Sequence, residues 1–148
     1  MSKAGKVPFE TTRFVRDACL CLHLQRAARA LARRFDDAFR PLGLTSGQYS
    51  MMMALNRPEP PSIGQVASVL AMDRTTLTAA LKPLQRRALV AVTVDADDRR
   101  SRRLKLTPAG RALLARAVPV WRRTHAEIDR LLPRAGADRL RRDLRALT

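Results

Sequence analysis

The segment DRTTLTAALKPLQRRALVAVTVDADDRRSRRLKLTPAG, residues 73–110, changes its apolar period twice, and that change decides the fold. From Asp73 to about Arg87 the leucines at 77, 81 and 84 recur at helical spacing, behind an aspartate suited to cap the helix. Leu89–Val94 is short and β-branched and predicts a strand; 95–101 is a polar tip; 102–107 alternates as a returning strand. Thr107-Pro108 then opens another helix, with proline in its favoured first turn.

Working upstream, Ser62 followed by Gln65 has the spacing of a capping box and starts a helix carrying Ile63, Val66, Ala67, Val69 and Leu70. Thr45 and Gln48 repeat the pattern for the helix before it, which the breakers of 56–61 stop. Two short helices joined across Ala71-Met72 and followed by a hairpin read as a helix-turn-helix with a wing. At the N-terminus, residues 1 to about 11 form a polar arm. A single helix from Thr12 to about Phe39, roughly 40 Å long at 1.5 Å per residue, is too long to bury its apolar face within so small a monomer. It asks for a partner. After Pro108 a helix is expected to run to Pro133 with a bend at Pro119, and a last one from about Ala137 to Leu147.

The bulk numbers agree. At 148 residues there is one domain's worth of chain, and 46% hydrophobic residues exclude a disordered basic tail. Only 4% are aromatic, so the core falls to Leu, Ala and Val on helices. The net charge of +16, mostly arginine, calls for a polyanion, since a chain so charged repels itself. No apolar run approaches the ~18–20 residues of a bilayer span. The N-terminal residues lack the apolar stretch of a signal peptide, and the expectation is a cytoplasmic protein with no membrane partner. His23 and His125 lie about a hundred positions apart without metal-ligand spacing, and neither a phosphate-binding glycine pattern nor a G-x-S-x-G occurs. The reading is therefore no enzyme, no cofactor and no metal.

The chemistry gathers in the helix that begins at Asp73. Its first turns hold a guanidinium and hydroxyls where better helix formers would be expected. Arg74, Thr75, Thr76 and Thr78 are the candidates for the major groove, with Lys82 on a phosphate. Arg99, Arg100 and Arg102, with Arg103, concentrate charge at a hairpin point shaped for a minor groove. Asp98 fits there if it pairs with a neighbouring arginine and stiffens the wing.

The order of elements resembles the MarR family of bacterial regulators over about Cys19 to Leu132. The marks are the TLT of the recognition helix, the K-x-L-x-x-x-x-L-V leading into the wing, and the DRR-then-LT closure. Ala88 departs from the pattern, standing where the family usually has the glycine that ends the recognition helix. The resemblance implies a mainly α fold with a small β-hairpin wing (α+β), one domain over 1–148. Residues 45–107 would be the winged helix-turn-helix, and 12–41 with 109–148 a helical dimerisation region. It implies a homodimer on a palindromic operator in double-stranded DNA: a sequence-specific transcription regulator, and a repressor released by a small ligand or an oxidant. A low-specificity DNA-coating protein is the alternative that the +16 charge leaves open. For the oxidant route, Cys21 aligns with the reactive cysteine of the peroxide-sensing branch, while that branch's two tyrosines correspond to Phe35 and Ser46 here. For the ligand route, Tyr49, Met52 and Met53 are candidates for a crevice, with Trp121 more remote.

Overall fold

The two capping boxes form as their spacing requires. In the computed structural model, which describes residues 5–148, Thr45 and Gln48 exchange side-chain-to-backbone hydrogen bonds, as do Ser62 and Gln65. Each pair satisfies two amide groups that the first helical turn leaves unpaired. The helices are α1 (Phe9–Ala18), α2 (Leu20–Phe39), α3 (Ser46–Ala54), α4 (Ile63–Val69), α5 (Arg74–Arg86), α6 (Pro108–Asp129) and α7 (Gly136–Arg145). Strands β1 (Val90–Val94) and β2 (Arg102–Leu106) pair antiparallel, with Val90 opposite Leu106 and Val94 opposite Arg102. The mainly α fold with a hairpin wing stands as expected.

The N-terminal part differs. The expected arm is helical from Phe9, directly after Pro8, and the single long helix is two. At Cys19 the backbone turns extended (φ −70°, ψ 107°), and the thiol stands at the N-cap of α2, where it accepts from the Leu22 amide at 3.5 Å. A thiol is a poor capping group, so nothing in local preference announced the break. No residue of α1 or of α7 is buried. At the other end α6 stops at Asp129, short of Pro133, and passes through Pro119 without interruption.

One core serves the whole domain. Phe39, Met52, Leu77, Leu81, Leu84 and Leu104 are fully buried and pack with Leu44, Tyr49, Leu106, Leu114 and Ala117. Burying each of the three α5 leucines is worth about 2 kcal/mol, which fixes one stripe of α5 inward and leaves the opposite stripe to solvent. The wing is anchored at its base. The Leu104 amide donates to the Pro61 carbonyl at 2.9 Å, and Ser62 bridges to Arg103, so the loop before α4 adds a third short edge to the hairpin. Thr107 caps α6 and donates its hydroxyl to the Ala88 carbonyl at 2.6 Å, tying hairpin, α5 and α6 together. Near the C-terminus, Arg141 bridges Asp129 and Asp138 and holds α7 against the end of α6.

Candidate nucleic-acid interface

Asp73 starts α5 by accepting from the Thr76 amide at 2.8 Å and from the Thr76 hydroxyl at 2.6 Å. These bonds hold its carboxyl below the usual carboxylate range, the Thr76 side chain contributing most. Thr76 is thereby drawn into the cap, and its hydroxyl proton is committed to Asp73. Thr76, expected at the groove, is exposed, with its donor engaged in this cap. Arg74, Thr75, Thr78 and Lys82 do share one exposed stripe with Ala79, around a shallow depression of about 330 Å³. The Thr78 hydroxyl donates to the Arg74 carbonyl at 2.7 Å. The face left to an incoming duplex is Thr75, Thr78 and Lys82, flanked by Arg74.

Pro83 lies inside the same helix, one residue beyond that stripe. The hairpin brings Arg99, Arg100 and Arg102 to the other side, all exposed. At the tip, Asp98 accepts from the Arg100 amide at 3.0 Å rather than from an arginine side chain. The ion pair belongs to Asp95, which sequence reasoning missed. It accepts from the Asp97 amide at 2.8 Å and from Nε of Arg103 across the hairpin. The Asp97 amide, then Arg103, lowers the Asp95 carboxyl from its ordinary value. A carboxylate two residues ahead of an amide in a turn is an Asx pattern, and DAD at 95–97 was the available signal.

A second site lies on the far side of α3. Tyr49, Met53, Leu70, Val118 and Trp121 line an apolar pocket of about 620 Å³ with Arg122 among its lining residues. Met52, expected there, is fully buried in the core instead, because the inward face of α3 carries Met52 and the pocket face carries Met53. Trp121 is not remote: its ring stands 6.4 Å from that of Tyr49. Burial pushes the Tyr49 phenol up, with Arg122 opposing, so it stays protonated at neutral pH.

Cys21 is exposed, its sulfur accepting from Gln25 Nε2 at 3.2 Å. Phe35 lies fourteen residues further along the same helix, ~21 Å away at 1.5 Å per residue, and stacks on Phe39. The Ser46 amide is bonded to Asp36. Neither stands beside Cys21 within one chain. His23 turns its ring to the Cys19 carbonyl at 2.8 Å. Among the described residues no cluster of His, Cys, Asp or Glu could hold a metal ion, and no helix is long and apolar enough to cross a membrane.

The family model described as the MarR family matches residues 42–101, which span the helix-turn-helix and the wing tip. The transcriptional regulator MosR of M. tuberculosis, solved in complex with DNA, is 38% identical with a TM-score of 0.79, over 87% of this chain and 92% of that one. The chain belongs to the MarR family. The repressor CouR, solved on a 23-mer DNA duplex, is 28% identical with a TM-score of 0.80, covering 97% of this MarR-family chain and 99% of CouR. The transcriptional activatory protein BadR of Rhodopseudomonas palustris is 35% identical over 95 residues, 62% of this chain, and the match spans only 54% of BadR's length. These relatives are regulators, not enzymes.

Proposed function

We propose that the protein is a homodimeric, sequence-specific regulator of transcription that binds operator DNA with α5 in the major groove and the wing tip in the flanking minor groove. The observation that carries this reading is the outward stripe of α5. Thr75, Thr78 and Lys82 are exposed on the helix face opposite three buried leucines, and the nearest carboxylate, Asp73, is consumed by its cap. Hydroxyls and a cation are thus presented where base edges and phosphates would lie. The wing adds Arg99, Arg100 and Arg102 beside it. A second copy of the chain would cover the apolar faces of α1 and α7, where Phe9, Phe14 and Leu140 are exposed, together with Leu147 just beyond α7.

Release by a small ligand is the mode of control that the apolar pocket supports. At about 620 Å³ it falls in the ~300–1,000 Å³ range of small-molecule sites, and its aromatic wall with one arginine suits a flat, apolar anion. CouR has been solved with p-coumaroyl-CoA as well as with DNA. The oxidant route through Cys21 rests on its exposure alone.

The test is fluorescence anisotropy of the duplex upstream of its own gene against a scrambled duplex, at about 50 and 200 mM salt. A preference of about a thousandfold for the upstream duplex is expected of a specific regulator. Equal binding to both, collapsing together as salt rises, would select the DNA-coating alternative. No binding to either would overturn the reading.

A further inference from the structure

Arg74 does not extend freely from the recognition helix. Its guanidinium lies over Gly64 of α4, so close that a methyl group added at Gly64 would stand 2.8 Å from Nη2 and 3.3 Å from Cζ. From there it forms one wall of a cleft of about 360 Å³ whose other walls are Ser62, Thr78 of α5, and Arg100 and Arg102 of the wing. Among the described residues none of these three arginines makes an ion pair; Arg102 donates only to the Arg99 carbonyl, at 3.0 Å. Three guanidiniums from two separate elements thus line one polar space that has no carboxylate among its lining residues. Like charges that share one cleft repel less once an anion lies between them, and forked donors with hydroxyls beside them match a tetrahedral phosphate.

The geometry points to this cleft as a phosphate seat in which α5 and the wing close on one phosphate group, with Gly64 as the positioning residue that lets Arg74 reach it. In the proposed complex that group is a diester of the DNA backbone, because Thr78 belongs both to the cleft and to the stripe that faces the groove. Arg74 then grips the backbone and carries no sequence information, while Thr75 and Lys82 remain on the open face. Placement of the wing relative to α5 is set by the phosphate they share. The assignment of a DNA diester rests on the proposed function; the phosphate chemistry of the cleft does not.

Gly64→Ala tests it without disturbing the fold. The added methyl meets only the movable end of Arg74, and alanine is the better helix former by about 1 kcal/mol. The variant is expected to melt no lower than the wild type. Its affinity should fall about tenfold for the upstream and the scrambled duplex alike, and its salt slope should drop by about one. Unchanged affinity for both would overturn the proposal. So would a loss confined to the upstream duplex, since Arg74 would then be reading a base. A second arm uses inorganic pyrophosphate, followed through the arginine Nε–H signals of the full chain. Saturable shifts at Arg74, Arg100 and Arg102, abolished in Arg74→Gln, support the seat; absent shifts, or equal shifts at arginines outside the cleft, overturn it. If the wild type bound no duplex, the regulator reading would fall, and the pyrophosphate arm would still decide the cleft.

Discussion

Ala88 sits in the left-handed region at φ +54°, the conformation that glycine adopts at no steric cost. The family's usual glycine at this point therefore has a backbone reason, and alanine here carries strain. Ala88→Gly is expected to raise stability by about 1 kcal/mol, a gain of about 3 °C in melting temperature for a domain of this size. A lowered melting temperature would show that the strain is relieved elsewhere. Asp95 ties the wing tip together by accepting from the Asp97 amide and from Arg103. Its carboxyl is lowered in the folded state, so its contribution is complete above the ordinary aspartate value near ~3.9 and is lost as pH falls through the lowered value. Amide exchange in residues 95–103, expressed relative to the intrinsic rate at each pH, should accelerate below about pH 4 in the wild type. In Asp95→Asn it should be fast already at neutral pH, with no acid step; an acid step that survives the substitution would place the sensitivity in another carboxylate. Both residues are visible in the sequence, but only one announced itself. The mark at Ala88 is a departure from a known pattern. At the tip, four acids and bases in a row offered several pairings, and the backbone's turn chose Asp95 for the ion pair and left Asp98 to an amide.

At the scale of elements, the junction of hairpin and α6 leaves no room for a side chain at Gly110. A Cβ at Gly110 would lie 2.1 Å from the Leu89 carbonyl oxygen, which is backbone at the base of β1 and cannot swing aside. Gly110→Ala should cost about 1–3 kcal/mol through forced displacement of the hairpin from α6, read as a lowered midpoint in chemical denaturation. The contrast with Gly64, where the neighbour is a movable guanidinium, separates a glycine required by packing from one required by function. Element identity was legible wherever capping and period agreed, as at Thr45, Ser62, Asp73 and Thr107. The break between α1 and α2 was not. No glycine or proline marks residue 19, and a helical apolar pattern continues on both sides of it. Pro119 does not end α6, which continues as helix on both sides of it, with Ala117 fully buried just before it.

At the scale of the whole molecule, the two ends of the chain are unfinished in isolation. α7 buries none of its residues, and Leu140 and Leu147 are exposed near the C-terminus as Phe9 and Phe14 are near the N-terminus. Exposed apolar side chains gathered on elements that bury nothing of their own mark an interaction face. In sedimentation the protein is expected at twice its 16.6 kDa chain mass. Leu140→Glu with Leu147→Glu should shift it toward the monomer and weaken operator binding by at least tenfold, because two half-sites are then no longer bound as one. A variant that stays dimeric would move the interface off α7.

The sequence by itself determined the helix-turn-helix, the wing and the direction of α5, because caps, turns and hydrophobic period are local properties that each segment carries with it. It also determined the demand for a polyanion, since net charge is a sum over residues and needs no fold. The tertiary structure alone decided which side chains meet. Thr76 goes to the cap, Met52 to the core, Trp121 to the pocket beside Tyr49, and Arg74 across Gly64 toward the wing. Those outcomes depend on how separate elements pack, and packing joins residues tens of positions apart that no local pattern relates.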